Sequence, residues 1–231
     1  MGTVLKVDHI AVGYGRGEVL GDLSLAAEQN EIIAIMGLNG MGKSTLMKAL
    51  IGILPLRSGK VSLDGKDLSG KQPFERVLDG LAYVPQGRMV FPNLTVEENI
   101  IAGLKSDRED VPEELYGFFP VLKEMRKRKA GNLSGGQQQQ LVIARALASK
   151  PKVLLLDEPT EGIQPSIIKE LARVLKQIRD LKGLTILVSE QVLSFALSVA
   201  DRVLVIERGK LIHESPRTGL DEATLGRLLS I

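Results

Sequence analysis

The chain has 231 residues, of which 30 are basic and 28 acidic, for a formal charge of +2. That length suits one globular unit with room for a smaller inserted lobe, and so balanced a charge excludes the footprint of a nucleic-acid binder. Hydrophobic residues make up 44% and aromatics 3%, so aliphatic packing carries the core and no base-stacking platform is present.

There is no cysteine, hence no disulfide framework, which fits a reducing compartment. No apolar run is long enough to cross a bilayer. Residues 1–6 lack a cleavable signal pattern, and Lys6 stands where a myristoylation motif needs Ser or Thr. The expectation is a cytosolic protein, peripheral if it serves a membrane.

In chain order, residues 4–7 and 10–12 read as strands ahead of the loop 13–17, and a further strand around 23–27 leads through a polar turn at 28–30,. The apolar run 32–36 then enters Gly37-Leu38-Asn39-Gly40-Met41-Gly42-Lys43-Ser44, with a helix over 43–51. Val61-Ser62-Leu63 followed by Asp64-Gly65 reads as a hairpin edge. Residues 81–84 form a short buried strand that Pro85 stops. From about 87 to 150 the pattern is helical, with a capping box at Thr95-Val96-Glu97-Glu98,. Strand-like runs return at 153–156, 184–188 and 203–206, alternating with helices near 166–181 and 191–200. That alternation predicts an α/β fold with a largely parallel sheet covered on both faces.

Three motifs carry chemistry. Strand, glycine turn and helix around residues 37–44 match the phosphate-binding loop G-x-x-x-x-G-K-[ST],. Glycines let successive N–H groups curl around a phosphate, and the helix N-terminus adds partial positive charge. Lys43 can reach β- and γ-phosphates, and the Ser44 hydroxyl can ligate Mg²⁺. These features imply a nucleoside triphosphate.

The second motif, Val153–Glu158, is an apolar strand ending in two acids. Asp157 lands at the C-terminal edge of the sheet, where it can hold Mg²⁺, and Glu158 can polarise an attacking water. Alone this pattern fits a capped or solvated strand end equally well; with a phosphate loop upstream it reads as a Mg²⁺ site. In the third, Leu133-Ser134-Gly135-Gly136-Gln137, Ser134 is an N-cap with Gln137 three residues on, and a helix is expected over 138–148,. A capped helix does not account for two glycines, each costing about 1 kcal/mol of helix propensity. A phosphate approaching the helix N-terminus does.

Taken together and in this order, residues 37–44, 133–137 and 153–158 resemble the ABC-type ATPases, the nucleotide-binding subunits of ATP-driven transporters. The likeness covers essentially the whole chain. It implies a P-loop NTPase fold with a RecA-like core, an antiparallel β edge subdomain and an inserted α-helical subdomain. Residues 1–231 then form one domain, with 1–86 and 151–231 as core and β subdomain and 87–150 as the helical part. The resemblance implies ATP and Mg²⁺ as cofactors, bound through Gly37, Asn39, Gly40, Gly42, Lys43, Ser44 and Thr45. It gives adenine stacking to Tyr14, and Mg²⁺ contacts to Ser44, Gln86 and Asp157, with Gln86 relaying nucleotide state. Glu158 and Gln191 take the catalytic positions. Ser134, Gly135, Gly136 and Gln137 cap the γ-phosphate held by a second subunit, so the site forms only in a dimer. The implied partners are two transmembrane permease subunits, a second ATPase subunit of the same or another kind, and indirectly a periplasmic solute-binding protein. The implied location is the cytoplasmic face of the inner membrane.

Two departures from the family pattern stand out. Gln191 occupies the position where most members carry a γ-phosphate-contacting histidine, so its amide donates without titrating. Glu161-Gly162-Ile163-Gln164 replaces a segment that usually ends in Asp. His9 and His213, the only histidines, fall on expected sheet edges and read as structural. The basic run 126–129 reads as a solvated face.

Tyr83-Val84-Pro85-Gln86-Gly87-Arg88 together with Gln191 resembles ATPases of hydrophobic amino-acid and amide importers. Residues 135–140 and 158–166 look most like the urea-importer ATPase, with the branched-chain amino-acid importer ATPase as runner-up. A soluble, non-transport ABC regulatory NTPase is the rival class, and retention of Glu158 speaks against it.

Overall fold

Two strands, Ile32–Met36 and Val153–Asp157, are buried at every position. Such runs form only where both faces of a parallel sheet are covered. The computed structural model describes residues 2–106 and 110–229. Met1, on which the amino-terminal reading begins, residues 107–109 of the expected helical segment, and residues 230–231 lie outside it.

The first half of the chain runs β1 (Thr3–Tyr14), β2 (Gly17–Glu28), β3 (Ile32–Met36), α1 (Lys43–Ile51), β4 (Ser58–Leu63), β5 (Lys66–Asp67), α2 (Pro73–Asp79), β6 (Leu81–Val84) and α3 (Val96–Ile101). The second half runs α4 (Glu113–Phe118), α5 (Pro120–Glu124), a 3₁₀ turn (Ala130–Asn132), α6 (Gly135–Ala148), β7 (Val153–Asp157), α7 (Pro165–Lys182), β8 (Thr185–Glu190), α8 (Leu193–Val199), β9 (Arg202–Glu207), β10 (Lys210–Pro216) and α9 (Glu222–Leu228). One sheet has the order β2-β1-β4-β5 and is antiparallel; the other has the order β10-β9-β3-β8-β7-β6. In the second, only the β9–β10 pair is antiparallel.

Alternate residues of the same strands enter two cores, as the period of two demands. Ile32, Ala34, Leu154, Leu156, Ile186 and Val188 pack with the apolar stripes of α6, α7 and α8. Ile33, Ile35, Val153, Leu155 and Leu187 pack with α1 and the antiparallel sheet. The parallel sheet is thus the middle of three layers.

Several expectations are corrected. The two short strands 4–7 and 10–12 are one strand, β1, with a bulge at His9 (φ 47) that shifts register between Val7 and Ile10. An extra residue bends the ladder without ending it. Because β1 lies between β2 and β4, His9 is on an interior strand, whereas His213 is on the edge strand β10 as expected. The helix expected from 138 begins at Gly135, and the one expected from 191 begins at Leu193. α2, β10 and α9 are additional. In α2, Arg76 is 1% exposed. It donates to the carbonyls of Ala49 and Leu50 at the end of α1 and to those of Lys71 and Ser69. Burial pushes its guanidinium pKa down, and four carbonyls, two of them at the C-terminus of α1, offset that cost,.

Candidate nucleotide site

Parallel register sets the geometry of the site. Asp157 lies opposite Ser189, and Met36 opposite Glu190. β3, β7 and β8 therefore end together, with the phosphate loop following β3 at the carboxyl edge where open α/β sheets bind ligands. The loop leaves no room for larger residues at two positions. A Cβ on Gly37 would lie 2.5 Å from the Ile206 carbonyl oxygen, and one on Gly42 (φ 107) would lie 2.6 Å from Leu20 Cδ2. Gly42 is the N-cap of α1 and supplies no side-chain cap, so the first-turn N–H groups are left for a ligand.

Behind the loop lies a closed polar network. Lys43 Nζ donates to the carbonyls of Gly37 (2.8 Å) and Leu38 (3.2 Å) and pairs with Glu158 Oε1 at 3.2 Å. Both side chains are buried, 3% and 9% exposed. Glu158 turns away from its neighbour through a left-handed φ of 46, its N–H held by Ser189 O at 3.1 Å and Oγ at 3.2 Å. Gln191 Nε2 donates to Glu158 Oε1 (2.9 Å) and to Asn39 Oδ1 (2.8 Å). Gln86 Nε2 donates to Glu158 Oε2 at 3.2 Å. Asp157 is 2% exposed and accepts from Ser44 Oγ (3.0 Å), Ser189 Oγ (2.5 Å) and the Tyr83 hydroxyl (3.2 Å). Burial, aided by the Asp157 charge, pushes the Tyr83 phenol well above its ordinary pKa, keeping it a donor.

A cavity of about 220 Å³ opens on this network, lined by Val19, Asn39, Gly40, Gly42, Lys43, Ser44, Thr45, Gln86 and Glu158. Most of the residues expected at the phosphates therefore meet. Tyr14 stands apart, 51% exposed at the end of β1. Ser134, Gly135, Gly136 and Gln137 are absent from the lining. They form the capping box of α6, with Ser134 N donating to Gln137 Oε1 at 2.9 Å and Gln137 N to Ser134 Oγ at 3.4 Å. The two glycines also have a reason within their own chain. A Cβ on Gly135 would fall 2.7 Å from Arg88 Nη1, and one on Gly136 would press on Ile167 at 3.0 Å.

Three residues of the network escaped the sequence reading: Tyr83, Ser189 and Glu190. Glu190 is 1% exposed; its Oε1 accepts from Thr160 N at 3.0 Å and its Oε2 from Gln191 N (3.1 Å) and Val192 N (3.3 Å). Burial raises its carboxyl pKa while these N–H groups oppose the shift,. The available signal was Ser189-Glu190 closing an otherwise apolar strand.

The donor set fits a hard divalent cation. Among the described residues no cluster of three or more His, Cys, Asp or Glu exists, so there is no all-protein cage. Ser44 and Asp157 offer adjacent oxygens and Gln86 a third at the cavity wall, the kind of partial shell that phosphate oxygens and water complete around Mg²⁺.

Neither histidine belongs to this network. His9 is 77% exposed beside Asp22, and His213 bonds Ser215. ATP turnover is therefore expected to show no step from a histidine between about pH 6 and 7. A pH–rate profile checks this, and a rate that collapses there while the fold persists refutes it.

The phosphate loop, the two acids closing β7 and the capped glycines of α6 define an ATP-binding cassette. Residues 20–161 match the ABC transporter family, and the chain belongs to that family as one of its ATPases. It is 40% identical to the high-affinity branched-chain amino acid transport ATP-binding protein BraG of Pseudomonas aeruginosa, over 90% of this chain and 91% of that protein. It is also 40% identical to the probable branched-chain amino acid transport ATP-binding protein LivF of Archaeoglobus fulgidus, over 90% of each. The ADP conformation of an ATP-binding cassette of an ABC transporter superposes with a TM-score of 0.85 at 28% identity, covering 100% of this chain and 96% of that one. No helix among the described residues is long and apolar enough to cross a membrane.

Proposed function

We propose that the chain is the ATP-hydrolysing subunit of an importer, acting as one half of an ATPase dimer on two transmembrane permease subunits at the inner face of the membrane. An extracytoplasmic solute-binding protein would deliver the solute. The observation that carries this reading is the closed network in which Lys43 neutralises Glu158 beside an open phosphate loop.

A triphosphate entering the loop competes for Lys43. Glu158 is then left with the amides of Gln86 and Gln191, its carboxylate released to take a proton from water. Gln191 holds Glu158 to Asn39 and so keeps the carboxylate over the loop. Ser44, Gln86 and Asp157 would hold Mg²⁺, whose contribution is to neutralise charge developing on the phosphates. Ser189 and Tyr83 orient Asp157. Tyr14, half exposed, is assigned to the adenine ring. Ser134, Gly135, Gly136 and Gln137 are assigned to the γ-phosphate bound by the second ATPase subunit, which fits their absence from this chain's own cavity.

In this reading residues 87–150 form the lobe that meets the membrane subunits, and 1–86 with 151–231 form the core. A groove of about 590 Å³ between them, lined by Phe74, Leu78, Tyr83, Phe91, Leu104 and Arg145 among others, supports docking of a permease helix. Phe74 and Leu78 are 66% and 62% exposed, an apolar edge that water disfavours.

The two relatives named for branched-chain amino acid transport favour a hydrophobic amino acid as the solute. Urea or a related amide is the second reading, carried by the pattern of residues 135–140 and 158–166. Co-expression with neighbouring permease genes and reconstitution into vesicles decides between them. Leucine-loaded binding protein should stimulate ATP hydrolysis and uptake, and urea-loaded protein should not; the reverse result establishes the amide. ATP hydrolysis with no membrane subunit co-purifying would place the chain in the soluble regulatory class.

A further inference from the structure

Three successive residues take the left-handed backbone region: Gly87 (φ 86), Arg88 (φ 67) and Met89 (φ 40). Glycine does so freely, whereas arginine and methionine stay there only where their surroundings hold them. Arg88 Nη2 donates to the carbonyls of Glu161 (2.8 Å) and Gly162 (3.1 Å). The Met89 carbonyl accepts from Arg145 Nη2, on α6, at 2.7 Å. The Arg88 guanidinium also lies against Gly135, where a Cβ would fall 2.7 Å from Nη1 and displace it. Two residues earlier, Gln86 grips Glu158. The loop 86–89 therefore holds the turn 158–162 at both ends and rests against the tip of α6.

We propose that Arg88 is a positioning residue that makes the Gln86 loop and the turn 158–162 move as one body. A change of partner at Gln86 then reaches Glu161, Gly162 and the first turn of α6 directly, without passing through Glu158. Arginine suits the task because one nitrogen of its rigid guanidinium meets both carbonyls while the other stays against Gly135, whereas a lysine has a single nitrogen,. The grip is on main-chain oxygens, so it is indifferent to the side chains at 161–164, the stretch that departs from the family pattern. The inference rests on the reading of Gln86 and Glu158 as nucleotide-responsive groups.

The test compares Arg88→Ala, Arg88→Lys, Gln86→Ala and the double variant Q86A/R88A in the full chain. If the two side chains act as a unit, R88A lowers kcat about tenfold, the scale of a small misplacement at a catalytic group. The KM for ATP should stay within about twofold, R88K should be intermediate, and the double variant should be no slower than the slower single one. Hydrogen exchange without nucleotide supplies a second readout: amides of 158–164 should exchange faster in R88A while those of β7 keep their protection. Multiplicative effects on kcat, an unchanged kcat, or kcat, KM and thermal stability falling in step would each overturn the proposal. If the wild-type chain binds no ATP, the reading of the network fails instead; if it binds ATP without hydrolysing it, as half of a two-subunit site does, exchange alone decides the role of Arg88. Unchanged protection at 158–164 in R88A then refutes it.

Discussion

Glu158→Gln is expected to bind ATP at least as tightly as the wild type, to turn it over about 10²–10³-fold more slowly, and to accumulate as a nucleotide-bound dimer. The substitution changes one oxygen to an NH₂ group and leaves the side chain's shape intact. Its amide oxygen can still accept from Gln191 at the present 2.9 Å position. It can no longer take a proton from water, a contribution of about 3–4 kcal/mol to the barrier. Removing the negative charge also removes the competitor that holds Lys43 in the nucleotide-free network, which is why affinity should not fall. Steady-state phosphate release and size-exclusion chromatography with ATP give the two readouts. Hydrolysis at the wild-type rate would show that another group activates the water.

Lys43→Ala acts on the other side of the same ion pair. It deletes the ammonium group that ties the Gly37 and Leu38 carbonyls and that a triphosphate would recruit. Affinity for ATP should fall by about a hundredfold, or about 2.7 kcal/mol, measured with a fluorescent analogue. Stability should fall too, because a carboxylate only 9% exposed loses its cation. Gln86 and Gln191 still donate to it, so the loss should be about 1–3 kcal/mol, less than for a fully orphaned buried charge. The double variant Lys43→Ala/Glu158→Gln separates the two effects. Neutralising residue 158 should restore thermal stability and leave binding poor. If stability is not restored, the penalty comes from the loop carbonyls and not from the buried charge.

How far the sequence could be read depends on the element. β3 and β7 were legible because a strand covered on both faces is a continuous apolar run. The boxes at Thr95 and Ser134 were legible because each spans four residues, and both form. α2 was not: it is seven residues long, and its apolar residues Phe74, Val77 and Leu78 span little more than one turn, too short a run to establish a helical period,. β10 was missed because its burial alternates exposed with half-buried along an edge, a weak signal in a stretch of polar residues. The start of α6 was placed three residues late because the sequence becomes periodic only from residue 138, whereas the Ser134 cap and the close packing against Arg88 and Ile167 favour a start at Gly135.

The site divides in the same way. Lys43, Ser44, Asp157 and Glu158 could be named because each lies in a short motif whose chemistry is local: glycines beside a lysine, or acids at the end of an apolar strand. Tyr83 and Arg88 could not, because nothing in their immediate neighbourhood marks them, and Ser189 and Glu190 carry only the weak mark of polar residues closing an apolar strand. They act through strand register and loop contact, Ser189 facing Asp157 across a parallel pair and Arg88 reaching carbonyls more than 70 positions away.

The amino-acid order alone thus pointed to an ATP-binding cassette and to the residues proposed for the triphosphate, since backbone curvature, helix polarity and charge are set within a few neighbouring positions. Which groups hold those residues in place was decided only when separate strands ended side by side, because hydrogen bonds of about 3 Å depend on tertiary distance and take no account of separation along the chain.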